Sequence, residues 1–171
     1  MNLVKKAQKG NDKAFLTLFQ EHEQEIYRIA FLYVKNKDDA LDVVQETAYH
    51  SFKSIKNLQE IKYFKTWLIR IAINCSIDLL RKQNKVVQMI PEFEDFITKD
   101  VNEDIALEIT LRDLIENLKE EEKSVVILRF YENLTLKEVS ETLEIPLGTA
   151  KTVLYRALKK LRNNLKGDDI V

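Results

Sequence analysis

Glycine and proline are scarce in this chain: 171 residues hold three Gly and two Pro. Strands joined by tight turns need more of both, so an all-α fold is expected. Gly10, Gly148 and Gly167 stand alone, which leaves no Gly-rich loop of the kind that cradles phosphates. Cys75 is the only cysteine; an internal disulfide is excluded, and a reducing compartment fits. With His22 and His50 as the only histidines, no Cys/His cluster stands at metal-ligand spacing. No Ser, His and Asp set can be argued from order alone. No metal, cofactor or small-molecule substrate is therefore expected, and an independent enzyme is a poor reading. No apolar run is long enough to span a membrane, and the opening MNLVKKAQKGNDKAF carries no apolar signal core, so the expected location is the cytoplasm.

What is present reads as helix. The hydrophobic fraction of 45% is ordinary for a folded protein. From about Asp12 to Lys35, Phe15, Leu18, Phe19, His22, Ile26, Ile29, Ala30 and Tyr33 make one stripe. His22 on that stripe reads as a packed or edge histidine. A second helix begins near Asp38 and Asp39, acids that suit the positive end of a helix. Ala40, Val43, Val44, Thr47, Ala48, Ser51 and Phe52 form its inward side. Asp42, Gln45, Glu46 and Tyr49 form a polar stripe opposite, at i, i+3, i+4 and i+7. A solvated face and a docking face for a large partner both fit that stripe.

Ser54 to Ile61 breaks the period and reads as a loop. The helix that follows, from about Lys62 to Lys82, is apolar almost all round, which places it in the middle of a bundle. Trp67 lies on its apolar stripe and reads as core. The remaining narrow face presents Lys62, Tyr63, Thr66, Arg70, Asn74 and Arg81, with no acid among them. Cations and an aromatic beside a loop suit single-stranded nucleic acid, where charge meets phosphate and a ring stacks on a base.

The net charge of −1 conceals an uneven distribution. Residues 1–90 carry 15 basic and 10 acidic groups, residues 91–171 carry 12 and 18, and Glu92 to Glu108 holds seven acids against Lys99 alone. Gln83 to about Asn102 lacks a sustained period, includes Pro91 and reads as a linker. Helical patterns then resume near Asp104 and again from Glu120 to Tyr131, where Phe130 counts among the apolar positions. Asn133 marks a corner. Thr135 to Leu143 and Pro146 to about Leu165 follow as a short helix, a turn and a longer helix. The longer one has Ala150, Val153, Leu154, Ala157, Leu158, Leu161 and Leu165 on one face, and six Lys or Arg with no acid from Pro146 to Lys166. Pro146 suits a first turn. This is the pattern of a helix-turn-helix whose second helix enters the DNA major groove.

Three blocks together resemble a known family. DDALDVVQETAYHSF (38–52), YFKTWLIRIAINCSIDLLRK (63–82) and LTLKEVSETLEIPLGTAKTVLYRALKKLR (134–162) are similar, in that order, to segments of bacterial sigma-70 family RNA polymerase sigma factors of the small extracytoplasmic-function group. The resemblance implies two small helical domains, regions 2 and 4, over 1–84 and 104–171, joined by a flexible acidic linker over 85–103. It implies that Asp39, Asp42, Gln45, Glu46 and Tyr49 grip the β′ clamp helices of core RNA polymerase. Leu58, Gln59, Glu60 and Lys62 would hold a base flipped from the −10 strand, with Tyr63, Arg70 and Asn74 supporting that strand. Thr149, Lys151, Thr152, Tyr155, Arg156 and Lys159 would read the −35 element, with Lys160 also near the DNA backbone. Further implied partners are the polymerase β flap, promoter DNA and an anti-sigma factor, often membrane-bound, in an envelope or stress response. Ala48 departs from the Phe that many relatives carry there, which bears on the packing of the docking helix. An autonomous DNA-binding regulator and an adaptor that binds polymerase without reading DNA remain as alternatives; the acid-free recognition helix argues against the adaptor.

Overall fold

The computed structural model describes residues 2–87, 115 and 117–168, with side chains to 84 and again to 163. All regular structure among them is helical. The chain divides into two compact units, Met1–Gln83 and Asn84–Val171.

The first unit opens with α1, Leu3–Gln8, whose first turn is capped by Asn2 Oδ1 accepting from the Val4 N–H at 2.7 Å. Gly10 then turns the chain at φ +95°, a conformation that a Cβ would strain. Helix α2 (Asp12–Val34) starts at Asn11, whose Oδ1 accepts from Ala14 N–H, and α3 (Lys37–Ser54) starts at Asn36, whose Oδ1 accepts from Asp39 N–H. The segment read as a loop contains one 3₁₀ turn, Ile55–Asn57, and ends at the start of a second, Ile61–Tyr63. Helix α4 (Phe64–Val87) follows directly.

The core of this unit draws Val4 and Ala7 from α1, Phe15, Leu18, Phe19 and Ile26 from α2, Val44 from α3, Ile55 from the first 3₁₀ turn, and Phe64, Leu68 and Ala72 from α4. Each fully buried Leu, Ile or Phe contributes roughly 1.5–3 kcal/mol relative to exposure. Buried Thr47 and Ser51 donate to the carbonyls of Val43 and Thr47, which offsets the cost of taking their hydroxyls out of water. His22 packs beside the Phe64 ring at 5.8 Å, as a packed histidine should.

Two details differ from the periodicity. Phe52, assigned inward, is 47% exposed; it meets Phe15 edge-on at 5.2 Å and closes the rim of the core. Helix α4 is buried along Phe64, Leu68, Ile69, Ala72, Ile73 and Ser76, while Trp67, Ile71, Cys75 and Ile77 are half-buried and Asn74 and Asp78 exposed. It is one wall of the bundle rather than its centre.

The second unit contains α5 (Glu120–Val126), α6 (Leu136–Leu143) and α7 (Leu147–Asp168). Helix α5 runs into a π turn, Ile127–Tyr131, closed by Glu132 N–H on the Ile127 carbonyl at 3.2 Å. The widened turn rotates later residues off the apolar stripe, so Phe130 and Tyr131 are about half exposed, at 50% and 51%. Leu118, Val126 and Ala157 form the centre of the core, with Val125, Ile127, Leu128, Val139, Ala150 and Val153 also buried. The linker is expected from residue 85, but residues 85–87 continue helix α4. Residues 88–114 lie outside the described residues; of the apolar positions expected in the helix from Asp104, Ile115 and Leu118 are described, both buried.

The corner of the helix-turn-helix has a defined build. Thr135 and Glu138 form a reciprocal capping box at the start of α6. At its end Glu144 sits in the left-handed region (φ 56°, ψ 44°), and Ile145 N–H reaches the Ser140 carbonyl at 3.0 Å, the six-to-one bond of a Schellman turn. Pro146 falls just before α7, with its carbonyl accepting from Ala150 N–H at 3.0 Å.

Candidate docking and nucleic-acid interfaces

Asp42, Gln45, Glu46 and Tyr49 are all exposed along one side of α3. Burial of Ala40, Val43, Val44 and Thr47 leaves that stripe no other face to occupy. Tyr49 is 52% exposed, with Lys53 Nζ 4.4 Å from its ring centre. Glu46 Oε2 lies 3.2 Å from His50 Nε2, a solvent-facing pair that adds little stability. Asp39 differs from the other four. It is half-buried, and its Oδ2 accepts from Asn36 Nδ2 at 2.6 Å and from Gln83 Nε2 at 2.7 Å. The second bond ties the start of α3 to α4.

The stripe is one wall of a cleft of about 300 Å³. Asp42, Gln45, Glu46 and His50 face Cys75, Asp78, Leu79 and Lys82 of α4 across it. The α4 wall did not emerge from the sequence as a site. Its i, i+3, i+4, i+7 spacing is helical, but a thiol, an acid, a leucine and a lysine share no polarity that would mark them as one face. Burial pushes the Cys75 thiol above its ordinary pKa; a hydrogen bond with Thr47 works against that, and the charges of Glu46 and Asp78 add to it.

At the loop between α3 and α4, Leu58 and Ile61 pack on the core. Between and beside them Gln59, Glu60, Lys62 and Tyr63 are exposed. Lys62 Nζ stands 5.0 Å from the Tyr63 ring centre, so a cation and an aromatic face meet at one point. Arg70 is half-buried and Asn74 exposed on the helix beneath. At 1.5 Å per residue, Asn74 lies about 16 Å along the axis from Tyr63, so the set forms a track rather than a pocket. One contributor that periodicity did not reveal is Gln8 of α1, whose Nε2 donates to the carbonyls of Ile55 at 3.0 Å and Leu58 at 2.8 Å.

On α7, Lys151, Thr152, Tyr155, Arg156 and Lys159 are exposed and Thr149 is half-buried. Ala150, Val153, Leu154 and Ala157 occupy the opposite, buried face. Tyr155 is the most open large hydrophobic side chain among the described residues, at 71%. Thr152 Oγ1 donates to the Gly148 carbonyl at 2.9 Å and keeps its lone pairs outward. Lys160, expected near a nucleic-acid backbone, has a partner within the protein: its Nζ is 2.7 Å from Oε1 of Glu122, which is fully buried. A buried carboxylate needs a cation, and Lys160 is placed to supply it.

Among the described residues, no group of three or more His, Cys, Asp or Glu side chains could hold a metal ion. No described helix is long and apolar enough to cross a membrane.

Comparison with known proteins bears on both units. Residues 18–86 match the model for Sigma-70 region 2, and residues 114–163 the model for Sigma-70, region 4. RNA polymerase sigma factor SigV of Bacillus subtilis (strain 168) is 39% identical over 163 residues, covering 95% of this chain and 98% of the relative. ECF RNA polymerase sigma factor SigW of the same organism is 27% identical over 177 residues, covering 95% of each. Among solved structures, CnrH in complex with the cytosolic domain of CnrY aligns with a TM-score of 0.73 at 22% identity, over 97% of this chain and 96% of that one. The sigma factor RpoE from Bartonella quintana, in complex with the anti-sigma factor NepR, aligns with a TM-score of 0.69 at 18% identity, over 90% of this chain and 98% of that one. At these identities the structural likeness carries the fold alone.

Proposed function

Since the chain belongs to the sigma-70 family of RNA polymerase sigma factors, in its extracytoplasmic-function group, we propose that its exposed faces divide promoter recognition between the two units. As a member of that family it is a transcription initiation factor and not an enzyme; it binds core RNA polymerase and directs initiation at promoters. The residue assignments that follow are our reading.

The α3 stripe, Asp42, Gln45, Glu46 and Tyr49, docks on the β′ clamp helices. Asp39 acts behind it, holding the start of α3 against α4 through Gln83. The loop Leu58–Lys62 takes a base flipped out of the −10 non-template strand, and Tyr63, Arg70 and Asn74 carry the neighbouring strand. Unstacking a base costs a few kcal/mol, so contacts made only by the flipped base must offset it. The outer face of α7 reads the −35 element through Thr149, Lys151, Thr152, Tyr155, Arg156 and Lys159, while the second unit also meets the β flap. The protein works in the cytoplasm, where its DNA is, under the control of an anti-sigma factor.

The observation that carries this reading is the coexistence of an exposed, partly acidic helix stripe with two cationic, aromatic-bearing tracks, one in each unit. A repressor needs only the last of these. Each head alone then has modest affinity for DNA, because the polymerase holds both and raises their effective concentration. Reversing charge with Asp42→Arg and Glu46→Arg is the test. Core polymerase affinity, measured by competition with the unaltered protein, falls at least tenfold if the stripe docks; unchanged affinity contradicts the assignment.

A further inference from the structure

We propose that Gln8 is a positioning residue for the −10 contact: it presets the backbone of the base-capturing loop before DNA arrives. The inference rests on the reading of Leu58–Lys62 given above. Gln8 has one side-chain NH₂ group, and both of its N–H bonds are committed, to Ile55 O at 3.0 Å and Leu58 O at 2.8 Å. Those carbonyls bracket the 3₁₀ turn Ile55–Asn57. Ile55 O also accepts from Leu58 N–H at 3.2 Å, so the three groups close a small network at the point where the loop leaves α3.

The donor itself is fixed from behind. Val4 and Ala7 are buried in the core, Leu3 packs against the same cluster, and Asn2 caps the helix. Gly10, at φ +95°, lets α1 double back, with its N–H on Ala7 O at 3.0 Å and Asn11 N–H on Lys6 O at 3.1 Å. A six-residue helix is marginal on its own, and this one has a packed face and a single long polar side chain reaching across to the loop.

The physical consequence is preorganisation. A loop that must order itself around a flipped base adds its own conformational entropy to the cost of unstacking. Gln8 moves that ordering into folding. Its loss therefore weakens discrimination at the captured base more than it weakens docking or −35 reading.

Holoenzyme assembled from the full chain and core polymerase provides the test, with 2-aminopurine placed in turn at each −10 position of the non-template strand. Gln8→Met keeps the length and removes both donors. Gln8→Lys keeps N–H donors at similar reach. With Gln8→Met, base preference at the captured position flattens by about fivefold, the worth of roughly one net hydrogen bond, and the fluorescence gain on capture shrinks. Core affinity and the −35 mutational profile stay the same, and Gln8→Lys retains the original −10 profile. A Gln8→Met protein with an unaltered −10 profile and fluorescence gain overturns the proposal. So does an equal loss at every promoter position, which marks a purely structural role, or an equal loss with Lys and Met, which shows that the donors do not matter. Gln59→Ala and Lys62→Ala serve as controls: if neither changes the −10 profile, the loop reading itself has failed, and the role of Gln8 falls with it.

Discussion

Lys160 Nζ on α7 lies 2.7 Å from Glu122 Oε1 on α5, and Glu122 has no exposed surface. Its other oxygen, Oε2, is buried with no hydrogen-bond partner among the described residues. The single ion pair therefore offsets most of the cost of burying that carboxylate, and it links α5 to the helix assigned to the −35 element. Breaking such a pair from one side leaves an uncompensated buried charge.

Lys160→Met should destabilise the second unit by about 2–3 kcal/mol, less than the roughly 3–5 kcal/mol of a fully buried pair because Lys160 remains 38% exposed. Glu122→Met combined with Lys160→Met should recover most of that loss. Amide hydrogen exchange along α5 and α7 in the full chain follows this unit separately from the first. A double variant as weak as Lys160→Met would show that the pair contributes more than charge compensation.

Arg156→Ala should weaken promoter use chiefly through the −35 element. A bidentate contact from Arg to a base edge is worth about 1–3 kcal/mol of discrimination, and Arg156 is exposed on the outer face of α7. Transcription from a set of single-base −35 variants gives the profile. If that profile is unchanged, Arg156 does not read a base.

Thr135→Ala removes the acceptor for Glu138 N–H, 3.2 Å away, and breaks the capping box. About 1 kcal/mol of stability should be lost from the helix-turn-helix, with exchange in the first turn of α6 rising before that of α7. Thr135→Ser, which keeps the hydroxyl, should lose far less.

The Cys75 thiol is pushed up by burial in the cleft wall, so its thiolate fraction at pH 8 is below that of an open cysteine. Alkylation by iodoacetamide should be slow in the native protein, with its rate rising at higher pH than for a cysteine peptide, and should become fast in urea. The sign for stability follows. Folding favours the neutral thiol, so this contribution is complete below the ordinary thiol pKa and is lost as pH climbs through the raised one. Cys75→Ala should remove that part of the alkaline decline in the stability of the first unit.

The principal helices were legible because each carries a long apolar stripe, and α3 also has a recognisable start in Asp38 and Asp39. Three features were not. Helix α1 offers only Leu3, Val4 and Ala7, too few turns for a period to emerge, and the reach of Gln8 to Leu58 spans fifty residues. The π turn leaves no mark in the sequence, so Phe130 counted as apolar core although it is turned outward. Glu122 stands in the run Glu120, Glu121, Glu122, and only packing shows which of the three is buried. For the same reason Lys160 could not be told from its neighbour Lys159. On the functional faces, polarity marked the α3 stripe and the α7 surface, whereas the α4 side of the cleft became visible only once two helices were set against each other.

Run-off transcription with purified core polymerase tests the central claim most directly. Promoters for it come from mapping transcript starts after overexpression. Core polymerase plus this protein should give a transcript from one start site, lost when either the −10 or the −35 element is scrambled, with little DNA binding by the protein alone. Tight sequence-specific DNA binding without polymerase, and no transcript with it, would contradict the account and identify an autonomous regulator.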